Sequence, residues 1–267
     1  MELVNYLNKA KKEKWAIGQF NFSTLEQLRG ILSAASHLKS PVILGTSEGE
    51  SAFLGIKETI ALTEISKIKY KAQAFLNLDH GKDPAWIKKA VDYGYSAVHF
   101  DGSELSLEKN IKYAKKLALQ IHNKNVLIEG EMDGIGSKNT TDAETAADFE
   151  KKTKIDSLAI AIGNKHGFYK NVKLDFKRLK QIKEKTNAFL VLHGGSGISK
   201  PQIKKAIKLG IVKINVNTEL RIAWKQGIEK ALKKGEIKPY NILPEAEKNV
   251  QKKVEEKIKL FGSVNKV

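Results

Sequence analysis

The chain contains no cysteine. That excludes disulfides and thiolate metal sites, and leaves histidine and carboxylate as the strong protein ligands on offer. It has no run of about 18 apolar residues, the length a membrane-spanning helix needs, so no membrane partner is expected. Arginine is scarce: Arg29, Arg178 and Arg221 stand among 47 basic residues. The formal charge of +17 raises nucleic acid as a partner. Yet the lysines are scattered over helix faces, without the clustered guanidinium forks and stacking aromatics that a nucleic-acid groove uses. The excess reads as a lysine-solvated surface whose field helps draw in phosphorylated small molecules, with no nucleic-acid role.

What is present is a repeating pattern. Apolar or β-branched runs recur at Trp15–Asn21, Pro41–Ser47, Ala74–His80, Ala97–Ser103, Val126–Met132, Ser157–Gly163, Ala188–Gly195 and Ile211–Asn217. Each runs at strand length and is followed by a longer segment. Amphipathic helical spacing appears between them at Leu25–Leu38, Pro84–Tyr93, Leu107–His122, Phe176–Thr186 and Pro201–Leu209. Parallel strands need such crossovers. Eight β/α units in about 250 residues predict an α/β fold, a closed (β/α)8 TIM barrel. An open doubly wound sheet is disfavoured because no G-x-G-x-x-G follows the first run. Two closing helices, Glu219–Lys234 and Leu243–Phe261, leave one additional C-terminal helix to cover an edge or meet a neighbouring subunit. No linker divides the chain, so residues 1–267 are expected to form one domain. The opening residues, Met1 to Lys14, mix charged and apolar side chains and read as an amphipathic helix rather than a signal peptide; a cytoplasmic protein is expected.

Barrel chemistry belongs to the C-terminal ends of strands. Polar residues gather there: Asp79-His80, Asp101, Glu129 and Glu131, His166-Gly167, His193-Gly194-Gly195-Ser196, and Asn215-Val216-Asn217-Thr218. Any one of the six histidines, taken singly, is more often a packing or capping residue than a ligand. His80, His166 and His193 each follow an apolar run, and their joint placement favours a metal with one open coordination position. His37, His99 and His122 lack that placement and read as structural. The glycines after the seventh run could serve a tight turn, for which one would suffice; beside His193 they suit a phosphate cradled by backbone N–H groups.

The ordered set Leu78-Asp79-His80, Ala161-Ile162-Gly163 leading to His166-Gly167, Leu192-His193-Gly194-Gly195-Ser196-Gly197 and Lys213-Ile214-Asn215-Val216-Asn217-Thr218-Glu219 resembles the class II fructose- and tagatose-bisphosphate aldolases. The likeness runs from Gln19-Phe20-Asn21 through Thr46-Ser47-Glu48-Gly49 to Phe261-Gly262-Ser263. It implies a zinc-dependent lyase that cleaves fructose 1,6-bisphosphate to dihydroxyacetone phosphate and glyceraldehyde 3-phosphate. By the same resemblance, His80, His166 and His193 hold zinc, and Asp79 moves the proton of the C4 hydroxyl. Asp101 and Glu131 match an alternative metal position, which leaves room for a second divalent or a monovalent cation. The substrate site would comprise Ser47, Gly167, Gly194, Gly195, Ser196, Asn215, Val216, Asn217 and Thr218. Of these, Gly167, Gly194, Ser196, Asn215 and Thr218 hold the dihydroxyacetone phosphate end, and Ser47 touches the aldehyde half. A homodimer or larger homo-oligomer is also implied.

Two departures from the family pattern bear on substrate. The segment Asp133–Glu144 lacks the glycine pair and Glu-Asp of the mobile loop in many relatives. Asp142 or Glu144 could substitute for that loop's carboxylate, or the segment could be a loop and helix cap. Near Lys253, Lys257 and Lys259 there is lysine where relatives often carry arginine for the far phosphate, which brings in Arg221 instead. Other phosphorylated ketoses, such as tagatose 1,6-bisphosphate or a deoxy-keto-gluconate phosphate, share the same motifs. A non-catalytic sugar-phosphate-binding barrel would have no use for Asp79 as a general acid.

Overall fold

The computed structural model describes residues 2–136, 140–167, 169 and 172–267. Its strands are β1 (Ile17–Asn21), β2 (Val42–Ser47), β3 (Ala74–Gly81), β4 (Ala97–Asp101), β5 (Leu127–Glu131), β6 (Ser157–Ala159), β7 (Phe189–Leu192) and β8 (Ile211–Val216). They pair in parallel in chain order and close, β1 on β8, into a barrel. The helices are α1 (Leu3–Glu13), α2 (Leu25–His37), α3 (Glu48–Leu54), α4 (Ile56–Tyr70), α5 (Pro84–Tyr93), α6 (Leu107–Ile121), α7 (Ala143–Thr153), α8 (Phe176–Lys185), α9 (Lys200–Lys208), α10 (Thr218–Leu232) and α11 (Pro239–Phe261).

The strands are buried along nearly their whole length because both of their faces are covered, by barrel interior and by helices. Helix starts follow local chemistry. Thr24 caps α2 through Gln27 N, Ser47 and Glu50 form a reciprocal capping box on α3, and Asp83 with Pro84 opens α5. Helix α1 closes the N-terminal end: Leu3, Tyr6, Leu7 and Ala10 pack with Ile17, Ile43, Phe75 and Val212. Chemistry is thereby directed to the opposite mouth.

Helix α11 covers the protein's own barrel. Val250, Val254, Ile258 and Phe261 are buried in the main core. Burial of each contributes about 1.5–3 kcal/mol. Close approach depends on two glycines: a Cβ at Gly30 would lie 2.7 Å from Glu247 O, and one at Gly227 would lie 2.5 Å from Ala246 Cα. No helix among the described residues is long and apolar enough to cross a membrane.

Candidate metal centre and active site

Neighbouring strand residues normally face opposite sides, so Asp79 and His80 could not both reach the mouth from a regular β3. The strand breaks the rule. Its register against β4 shifts between Leu78 and Gly81, and His80 adopts a left-handed backbone, φ 51°. The His80 amide, turned away from the regular ladder, donates to His99 Nδ1 at 3.1 Å.

Around His80 a tight group assembles. Its Nε2 faces His193 Nδ1 at 3.2 Å. Two imidazoles aimed at one divalent ion, each at about 2.0–2.1 Å in tetrahedral geometry, would hold their nitrogens only slightly further apart. The outer nitrogens are occupied by carboxylates: His80 Nδ1 meets Asp101 Oδ2 at 2.8 Å and His193 Nε2 meets Glu129 Oε1 at 2.6 Å. Lys213 Nζ holds the other Glu129 oxygen at 2.6 Å. This carboxylate–histidine arrangement fixes which nitrogen faces inward and raises its basicity. Asp79, His80, His99 and His193 bring potential ligand atoms within 4.8 Å of one another, and His80, Asp101 and Glu131 form a second such group. Glu131 Oε2 and Asn215 Oδ1 are buried without a hydrogen-bond partner, as expected where a cation is to be received. The donor set fits a divalent metal.

His166 reaches the mouth on the loop after β6. Its ring stands 4.8 Å from that of His80 and 6.1 Å from that of His193, centroid to centroid, outside the tight group. Desolvation at the mouth, with the His80 ring nearby, lowers its pKa to about 4. Burial likewise lowers that of His193. Both rings are therefore neutral at pH 7, the form that binds metal. Burial opposes charge on His80, but Asp79 and the Asp101 hydrogen bond outweigh it and raise its pKa.

His99, read from sequence as structural, lies fully buried within the group, 3.4 Å from Glu131 Oε2 through Nε2. Burial disfavours its charged form, whereas the carboxylates of Asp79, Glu131 and Glu129 favour it and would push it up to about 10. The amide of His80, however, points at Nδ1. A nitrogen that accepts this hydrogen bond carries no proton, so Nε2 holds the proton and the ring is neutral.

Asp79 is held from both sides. Asn21 Nδ2 on β1 donates to Oδ2 at 2.9 Å and Asn215 Nδ2 on β8 donates to Oδ1 at 3.0 Å. Burial raises its pKa, but the adjacent His80 outweighs it and the carboxyl is held well below the usual range. It is an oriented, ionised carboxylate at the edge of a cavity of about 380 Å³.

The cavity also brings together Ser47, His166, Gly167, Gly194, Ser196, Asn217, Thr218 and Arg221. Gly194 has φ 63°, and a Cβ there would strike Lys165 O at 2.2 Å, so only glycine lets the β7 loop nest on the His166 loop. Helix α10 begins here, and its N-cap, Asn217, makes no side-chain cap. Gly195 and Val216 stand behind this wall. The Gly195 amide bonds Asn215 O at 2.9 Å, and Val216 belongs to the core. Asp101 and Glu131 line an adjoining cleft with His80 and His166.

The C-terminal lysines stand outside the cavity that Arg221 lines. Lys257 is buried and bonds Glu219 at 2.7 Å, and Lys253 pairs with Glu256 at 2.8 Å. Neither lines the cavity. Glu219 in turn accepts the Gly197 amide at 2.9 Å, so α11 braces the glycine loop. Lys257→Met should lower the unfolding free energy by about 3 kcal/mol, since it strands a buried carboxylate. Lys253→Met should cost less than about 1 kcal/mol, because its pair is partly solvated. Equal shifts in denaturant midpoint for the two variants would rule the brace out.

In the segment after β5, Asp142 caps α7 by accepting Thr145 N at 2.9 Å, and Glu144 pairs with Lys185. The capping alternative therefore describes Asp142. Residues 137–139 of that segment lie outside the described residues. Glu129 was placed at the mouth from sequence without a specific role, and Glu50 and Lys213 were given none, although a lysine inside the apolar run Ile211–Val216 is itself a sign of a buried ion pair.

The model of the family described as fructose-bisphosphate aldolase class-II matches residues 1–266. The 6-phospho-5-dehydro-2-deoxy-D-gluconate aldolase of Shouchella clausii is 40% identical, over 96% of this chain and 92% of that protein. The fructose-bisphosphate aldolase of Geobacillus stearothermophilus is 35% identical, over 97% of this chain and 96% of that protein. The crystal structure of the YdjI aldolase from Escherichia coli K12 superposes with a TM-score of 0.90 at 32% identity, covering 100% of this chain and 98% of that one. With a closed barrel, a histidine–carboxylate cluster at its mouth and a family match along its length, the chain belongs to the class II fructose-bisphosphate aldolases, metal-dependent carbon–carbon lyases that act on sugar phosphates.

Proposed function

We propose that the protein is a zinc-dependent aldolase that releases dihydroxyacetone phosphate from a phosphorylated ketose. The observation that carries this reading is the meeting of an oriented Asp79 with His80, His166 and His193 in one cavity. Held by the three histidines, zinc supplies a Lewis acid for the negative charge that develops on the ketone fragment. Asp101 and Glu129 orient His80 and His193. Asp79 takes the C4 hydroxyl proton while the C3–C4 electron pair passes to the ketone half and C4 leaves as an aldehyde. Gly167, Gly194, Ser196, Asn215 and Thr218, with the open end of α10, hold the phosphate of that half. Asp101, Glu131 and His80 supply the alternative metal position. Residues 1–267 act as one domain, and the family likeness extends the reading to a cytoplasmic homodimer or larger homo-oligomer.

Fructose 1,6-bisphosphate is the first substrate to test. The 40% identity to a phospho-dehydro-deoxygluconate aldolase favours a second, and tagatose 1,6-bisphosphate is a third. All three present the same dihydroxyacetone phosphate end. A coupled assay on each, with chelator and then with zinc restored, should give release of dihydroxyacetone phosphate that chelator abolishes and zinc returns. No release from any of the three by the zinc-loaded protein would overturn the reading.

A further inference from the structure

His80 holds a strained backbone, and the side chain that receives its amide is His99. Strand β3 takes three steps from Leu78 to Gly81, whereas β4 takes two from Val98 to Phe100. One residue is therefore surplus, a bulge that re-aims the side chains around it. The surplus is absorbed at His80, whose φ of 51° disfavours any residue that carries a Cβ. Such a conformation persists only where its surroundings hold it.

His99 lies between the two paired positions of β4, beside the bulge, and its Nδ1 accepts the His80 amide at 3.1 Å. Gly81 lets the strands close at this point, since a Cβ there would lie 2.9 Å from His99 O. The His99 ring is fully buried, 4.7 Å from the ring of His80 and 4.8 Å from that of His193, centroid to centroid. Its other nitrogen, Nε2, is buried without a hydrogen-bond partner. A residue kept for packing alone would be better apolar, because an unpaired buried N–H costs free energy that a methyl group does not. What the ring supplies is the acceptor at Nδ1.

By distance His99 belongs to the group of four potential ligands. The lone pair of Nδ1 is already engaged by the amide, however, and is not on offer to a cation. Resting on the reading of His80 as a metal ligand, we infer that His99 is a positioning residue: by accepting the His80 amide it sets the bulge at which Asp79 and His80 both face the mouth. It is not itself a ligand.

Three substitutions separate these roles. In His99→Asn the side-chain oxygen stands near the place of Nδ1 and accepts the same bond. In His99→Gln the longer side chain carries its polar group toward Glu131 instead, and His99→Leu fills the space with no acceptor. Zinc affinity, measured by competition with a chromophoric chelator, should fall at least roughly tenfold in His99→Leu and His99→Gln and stay within roughly threefold of wild type in His99→Asn. Turnover at saturating zinc should follow the same order. Should His99→Leu fail to fold, His99→Gln and His99→Asn carry the comparison. Wild-type affinity in His99→Leu or His99→Gln would overturn the proposal. So would a loss in His99→Asn as deep as in His99→Gln, which would make His99 a ligand, or losses that follow the denaturant midpoints of the metal-free proteins, which would make it a packing residue. Wild-type zinc affinity in His80→Ala would instead remove the metal reading on which the proposal rests.

Discussion

Asp79→Asn is expected to keep its metal and lose turnover by about 10²–10⁴-fold, some 3 to 5 kcal/mol of transition-state stabilisation. The side chain is isosteric, but an amide cannot take a proton from the substrate hydroxyl. Because Asn21 and Asn215 position the carboxylate by donating to it, the variant also turns one donor toward another. Metal content by elemental analysis, read beside kcat, separates the roles. Loss of metal in parallel with activity would make Asp79 a ligand instead of a base, which its place in the four-residue group makes a real contest.

His193→Ala is expected to lose metal and activity together. His193 is fully buried, and it joins His80 on one side to the Glu129–Lys213 pair on the other. Removal of an outer carboxylate partner typically weakens metal affinity by roughly 10–100-fold; removal of the ligand should exceed that. Glu129→Gln therefore serves as the graded control, retaining the imidazole while weakening its orientation. Zinc content in His193→Ala equal to wild type would remove His193 from the metal site, leaving His99 and His166 to account for it.

Most of the barrel was legible because its cause is local. A run of apolar residues buried on both faces, then a capped amphipathic helix, repeats along the chain. Pro84–Tyr93 and its cap chemistry are read directly from sequence. Strand ends were less legible. Ile160 and Ile162 continue the apolar pattern of β6, yet β6 ends at Ala159, and the buried residues beyond it serve the loop that carries His166. Helix α4 was harder still, since Ile56, Ile60, Leu62, Ile65 and Ile68 lie around it without one stripe, and Ile65 and Ile68 are exposed.

By itself the sequence determined the eight β/α units, the closed barrel and the strand ends at which His80, His193 and Asp79 stand, because strand period and turn chemistry act over a few residues. Tertiary structure decided which groups share the cluster. His99 enters it because β4 lies beside an irregular β3, and Lys257 is withdrawn from the cavity because α11 folds back on α10. Glu50 meets Arg221 across 171 residues only when β2 and β8 flank β1. Such meetings depend on barrel closure and strand register, which no local pattern encodes, and they determine which charged groups line the cavity.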